Sequence, residues 1–116
     1  MPSYFTDDEF RCPDCGLFIP NDELRTLLQK AREAFGRPMI IESGTRCAIH
    51  NAQVGGVKDS AHTTGEAADI RCLADDTRWA LLKIFFLLGV KRLEIGKTWL
   101  HVDISKTKPQ KVVFLG

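Results

Sequence analysis

Apolar residues recur at helical spacing twice along this chain, and elsewhere they gather into short runs of strand length. Leu24, Leu27, Leu28, Ala31 and Phe35 share one helical face; Asn21 or Asp22 precedes them as an N-cap with acids in the first turn, and Gly36 follows as a terminator. A second helix is expected from Asp75 to Leu88, capped by Asp75 or Asp76 and ended by Gly89, with Trp79, Leu82 and Phe86 on its buried stripe. Pro38 to Glu42 reads as a short strand, Ala48 to Val54 as a short helix ended by Gly55-Gly56, and Glu66 to Cys72 as a strand of small and apolar residues. Lys91 to Ile95 and Trp99 to Ile104 flank Gly96-Lys97-Thr98 as a hairpin, and Lys111 to Leu115 adds an edge strand. Residues 1–20 read as an irregular arm, punctuated by Pro2, Pro13, Gly16 and Pro20 and pinned by Phe5, Phe10, Leu17 and Phe18. This order predicts an α+β domain, a small antiparallel sheet with helices packed on one face.

Length and composition narrow the partners. The 116 residues suffice for one domain, spanning 1–116, and 44% hydrophobic with 27% charged residues is the make-up of an ordinary folded protein. Sixteen basic residues against 15 acidic ones leave a net charge of +1, which is neither a nucleic-acid footprint nor an acidic tail. The longest apolar run, Ile84 to Leu88, is a helix face too short to span a membrane. The acidic N-terminus lacks the charged and apolar regions of a secretory signal. The expectation is a monomer with no nucleic-acid or membrane partner, cytoplasmic as synthesised or associated with a phage or virion.

Chemistry enters with three residues. His62, Asp69 and His101 are a ligand set that suits zinc and leaves a fourth position open, the pattern of catalytic zinc sites. Strand alternation sends His101 and Asp103 to one face and Leu100 and Val102 to the other, into the core. Arg46, leaving a strand through a glycine turn, has a fork that suits a carboxylate or an oxyanion; Ser60 is placed to hold a substrate carboxylate or to cap its loop. Each residue alone also has a plain reading, as a loop histidine, an edge carboxylate or half of a surface salt bridge. Cys12-Pro13-Asp14-Cys15-Gly16 has the knuckle spacing used for zinc, but no second Cys-x-x-Cys follows, so Cys47 and Cys72 would have to arrive singly. Reduced thiols and disulfides are the other readings, and the compartment decides between them. His50, beside Asn51 and Gln53, reads as a surface residue and not a ligand.

In combination the motifs are specific. Ser43-Gly44-Thr45-Arg46-Cys47-Ala48-Ile49-His50-Asn51, Val54-Gly55-Gly56, Ser60-x-His62, Gly65-x-Ala67-x-Asp69-Ile70 and His101-Val102-Asp103 resemble the zinc D-Ala-D-Ala carboxypeptidases, peptidase family M15. Within it they are similar to the short single-domain branch of bacteria and phages, whose fold is shared with the hedgehog signalling domain. The resemblance covers residues 40–104 closely and most of the chain loosely. It implies one catalytic zinc on His62, Asp69 and His101, with Arg46 beside the substrate carbonyl and Ser60 near its terminal carboxylate. Better-known members carry a glutamate as general base three residues before the last histidine, where this chain has Thr98. Asp103 is the expected substitute, with Glu94 as the alternative. The function implied is a zinc metallopeptidase that hydrolyses D-alanyl peptide bonds of bacterial peptidoglycan, as carboxypeptidase or endopeptidase. The alternative is a zinc-binding module of the same fold, weak or inactive, that binds cell-wall peptides or a protein partner.

Overall fold

In the computed structural model, which describes residues 3–116, the elements follow the order read from the pattern. Met1 and Pro2, the start of the expected arm, lie outside the described residues. The rest of the arm holds one 3-10 turn, Asp7–Phe10, and is pinned by Phe5 and Phe10, both buried; Phe18 packs at the core's edge, whereas Leu17 is exposed.

Helix α1 spans Asp22–Phe35. The Asn21 side chain accepts from the Leu24 amide at 3.0 Å, Asp22 and Glu23 complement the amino end, and left-handed Gly36 (φ 71°) closes it. Strand β1 (Ile41–Ser43) leads to the short helix α2 (Ala48–Gln53) and a 3-10 turn at Ala61–Thr64. Then come β2 (Ala67–Arg71), helix α3 (Asp75–Leu87), the hairpin strands β3 (Arg92–Ile95) and β4 (Trp99–Asp103), and finally β5 (Val112–Leu115).

The sheet order is β1-β2-β4-β3-β5. All neighbours run antiparallel except β5, which lies parallel to β3, so the sheet is mixed at that edge. The parallel edge arises because residues 104–111 carry the chain from the end of β4 back to the start of β3 before β5 begins.

Strand alternation divides the sheet into two chemistries. Ala68, Ile70, Leu93, Leu100 and Val102 point to one face, where they meet Leu24, Leu28 and Ala31 of α1 and Leu81 and Phe85 of α3. This buried cluster is the core and fixes the register, because a one-residue slip of any central strand would drive charged side chains into it. The stripe expected on α3 is displaced. Leu82 does pack against the core, but Trp79 and Phe86 are exposed, and Leu81 and Phe85 are the fully buried residues. Residues 79–88 are apolar almost all round, so their pattern does not specify which side turns inward; contact with α1 and the sheet decides it.

The opposite face is polar and carries one transverse row through all five strands. Ser43 lies across from Asp69, Asp69 across from His101, His101 across from Glu94, and Glu94 beside Phe114. A register shift between Ile41 and Ser43 gives β1 an extra residue there and sets Ser43 into the row.

Candidate metal centre

Two members of the row meet a third residue from outside the sheet. His62 sits in the 3-10 turn Ala61–Thr64, whose N-cap Ser60 accepts from the His62 amide at 3.2 Å. The His62 Nε2, Asp69 Oδ1 and His101 Nδ1 atoms form a triangle with sides of 3.2 Å (His62–Asp69), 3.2 Å (His62–His101) and 2.9 Å (Asp69–His101). Ligands about 2.0–2.1 Å from a tetrahedral zinc stand about 3.3 Å apart, so the triangle has the dimensions of three corners of such a site. His62 is 2% exposed, while the Asp69 and His101 side chains keep 12% and 10%, so solvent reaches the cluster from the sheet side.

Each imidazole is oriented through its other nitrogen. His62 Nδ1 lies 2.7 Å from the Gly44 carbonyl oxygen, which can only accept, so Nδ1 carries the proton and Nε2 offers its lone pair to the triangle. His101 Nε2 lies 2.7 Å from Asp103 Oδ2, leaving Nδ1 to face the triangle. A histidine whose second nitrogen donates to an oxygen is the usual arrangement of a metal ligand, since it fixes both tautomer and ring direction.

Both carboxylates have an arginine. Asp69 Oδ2 accepts from Arg46 Nη2 at 3.1 Å, and Asp103 Oδ1 accepts from Arg92 Nε at 2.7 Å. Burial pushes the Asp69 carboxyl up, but hydrogen bonds and charge from His101 and His62 hold it well below the usual range. Burial likewise opposes ionisation of Asp103, and His101 and then Arg92 more than offset it. In the metal-free site His101 is raised to about 9: burial disfavours its charge, and the carboxylates of Asp103 and Asp69 outweigh that. A divalent ion held by these three residues would take the place of that proton.

Arg46 is held by more than Asp69. Its Nε donates to Ser43 Oγ at 3.1 Å and its Nη1 to Asn51 Oδ1 at 3.2 Å, while Asn51 Nδ2 donates to the Val57 carbonyl at 2.7 Å. Gly56 lies against this cluster, where a Cβ would overlap Asn51 Oδ1, so the second glycine of Val54-Gly55-Gly56 makes room for the arginine's support.

The structure thus brings together His62, Asp69, His101 and Arg46. Ser60 is placed as the cap of the turn carrying His62, and Asp103 behind His101, 2% exposed, on the side away from the triangle. Glu94 is half-buried directly across from His101, and its Oε1 accepts from Trp99 Nε1 at 3.3 Å. Thr98 is exposed in the β3–β4 turn, its carbonyl accepting from the Cys72 amide.

The Peptidase M15 profile matches residues 4–103 of the 116. The chain belongs to the peptidase M15 family. No curated protein matches it. The match covers the arm from Tyr4 onward, helices α1 to α3 and the hairpin, and contains every residue of the triangle. Membership makes this M15 chain a member of a zinc-dependent peptidase family, in keeping with the nitrogen and oxygen donors that converge at the row.

Reasoning from sequence missed Arg92, Asn51 and the Gly44 carbonyl. Arg92 left a signal: it alternates in phase with Glu94, and the hairpin register that sets Glu94 opposite His101 sets Arg92 beside Asp103. Asn51 and Gly44 lie in the motif around Arg46, but nothing in the motif marks their roles, because each acts through loop geometry. A surface cavity of about 670 Å³ between α1 and the segment after β4 reaches Asp103 but none of the three residues of the triangle.

Proposed function

We propose that this M15 peptidase holds one catalytic zinc on His62, Asp69 and His101 and hydrolyses D-alanyl peptide bonds of bacterial peptidoglycan, at a terminal residue or at a cross-link. The observation that carries the reading is the triangle of His62 Nε2, Asp69 Oδ1 and His101 Nδ1, each imidazole being held from behind by an oxygen. The cell-wall substrate is supported by the motif resemblance around Arg46, His62, Asp69 and His101.

Zinc bound there supplies Lewis-acid polarisation of the scissile carbonyl and a more acidic water. Arg46 neutralises the outer oxygen of Asp69, and the N–H groups not spent on Asp69, Asn51 and Ser43 are available to the oxyanion or to the substrate's terminal carboxylate. Ser60 orients His62 through its amide, with its own hydroxyl proton left for the substrate.

Proton transfer falls to Glu94. Asp103 has Oδ2 on His101 and Oδ1 on both Arg92 and the Ser105 amide, and is buried, which suits support of a ligand better than exchange of protons with water. Glu94 stands on the same face beside His101, with Oε1 steadied by Trp99 and no hydrogen bond to Oε2 among the described residues. On this reading Oε2 takes the proton of the attacking water and returns it to the leaving amine.

Thr98 at the usual base position favours a second reading, a wall-binding module without turnover. Zinc-loaded protein incubated with purified peptidoglycan peptides and followed by mass spectrometry separates the two. The peptidase reading predicts loss of terminal D-Ala or opening of a cross-link, abolished by chelation. Binding without cleavage at stoichiometric zinc would establish the module instead.

A further inference from the structure

We propose that Cys12, Cys15, Cys47 and His50 form a second zinc site, structural in role, that fastens the N-terminal arm to the start of α2. The Sγ atoms of Cys12, Cys15 and Cys47 all lie within 4.8 Å of one another, and Cys12 and Cys47 are 3.7 Å apart. Thiolates about 2.3 Å from a tetrahedral zinc stand about 3.8 Å apart. A disulfide would bring the two sulfurs to about 2.05 Å.

The arm is folded as a metal knuckle. The Gly16 amide donates to the Cys12 carbonyl at 2.8 Å, the Cys12 amide donates to the Leu17 carbonyl at 2.8 Å, and Gly16 takes φ 76°, which a side chain would disfavour. This turn presents Cys12 and Cys15 to Cys47. The Cys47 amide donates to the Cys12 sulfur at 3.5 Å, an N–H···S contact of the kind that stabilises a thiolate. The Cys47 sulfur accepts from the His50 amide at 3.4 Å.

His50 completes the set by position. Cys47 caps α2 and His50 is its third residue, a position from which a side chain can reach back over the cap; its ring nitrogens stand outside the group of three sulfurs that lie within 4.8 Å of one another, so His50 would turn in as the ion binds. The spacing is therefore Cys-x-x-Cys with Cys-x-x-His, and three thiolates with one imidazole are a closed structural zinc set. Cys72 takes no part: it is buried apart from the cluster, with its sulfur 3.9 Å from the Ala74 carbonyl.

The site would couple the arm to catalysis by adjacency alone. Cys47 follows Arg46, whose guanidinium holds Asp69, and the preceding residue Thr45 is tied to the arm at Phe10 and Ile19. These residues are distinct from the triangle, so the proposal stands or falls apart from the peptidase reading.

Metal counting on the full chain, purified under reducing conditions, tests it. Elemental analysis is expected to find two zinc ions per chain, and cobalt substitution to add a thiolate-to-cobalt charge-transfer band. His62→Ala/His101→Ala should lose one ion and keep the band; Cys12→Ser/Cys47→Ser should lose the other ion and the band. His50→Ala should keep the band but change the visible cobalt envelope as water replaces the imidazole. Should the cysteine variant fail to fold, the histidine variant still decides, because its remaining metal must be thiolate-bound. A single ion without the band in the wild-type chain, or a Cys12–Cys47 disulfide in place of the second ion, would overturn the proposal. An unchanged envelope in His50→Ala would overturn the fourth ligand.

Discussion

Asp103 and Glu94 share the polar face of the sheet, and their partners assign them different work. Asp103 is locked between Arg92 and the outer nitrogen of His101, whereas among the described residues Glu94 is tethered at one oxygen only, by Trp99. Asp103→Asn is therefore expected to weaken zinc affinity about 10–100-fold, measured by chelator competition. Glu94→Gln is expected to leave zinc affinity unchanged and to lower kcat about 100-fold or more. The reverse pattern would make Asp103 the base. The sequence alone placed His101 and Asp103 on one face but could not divide these roles, because the division rests on Arg92, eleven residues away in the chain.

His101 also sets a pH dependence of the metal-free protein. Its value rises from about 6.5 in the unfolded chain to about 9 in the fold, so its contribution is complete below pH 6.5 and is lost as pH climbs toward 9. Asp69 and Asp103 are lowered, so theirs is present above about pH 4 and is lost in acid. With a chelator present, the thermal midpoint should be highest between about pH 4 and 6.5 and fall toward 9. His101→Gln should flatten the alkaline decline. An alkaline decline of equal size in that variant would assign it to other groups.

At the scale of elements, helix and strand positions were largely legible, because caps and glycine stops bracket them: Asn21 and Gly36 around α1, Gly96-Lys97-Thr98 between β3 and β4. The face of α3 was not. Trp79 and Phe86 have the spacing of a buried stripe, yet Leu81 and Phe85 are the residues sealed beneath α1 and over the sheet. Urea unfolding checks the assignment. Phe85→Ala should cost about 3–5 kcal/mol. Trp79→Ser should stay within about 0.5 kcal/mol. Comparable losses from both would contradict the observed facing. The parallel pairing of β5 was likewise hidden, since an edge run of apolar residues carries no mark of its direction.

For the whole molecule, the division of the sheet into two faces is the device that makes the site. Helices α1 and α3 cover one face and fix the strand register, and that register alone lines up Ser43, Asp69, His101, Glu94 and Phe114 on the other. The loops then deliver His62 and Arg46 to the row from segments that the arm braces through Thr45. The three residues of the triangle could be named from residue types and motif spacing; their braces could not, because Gly44 contributes a backbone oxygen and Asn51 acts at one remove. The most direct measurement is an anomalous difference map at the zinc edge from a crystal of the zinc-loaded chain. The account predicts a peak about 2.0–2.1 Å from His62 Nε2, Asp69 Oδ1 and His101 Nδ1 together. No peak at that triangle, or zinc bound through His101 Nε2 in place of Asp103, would contradict it.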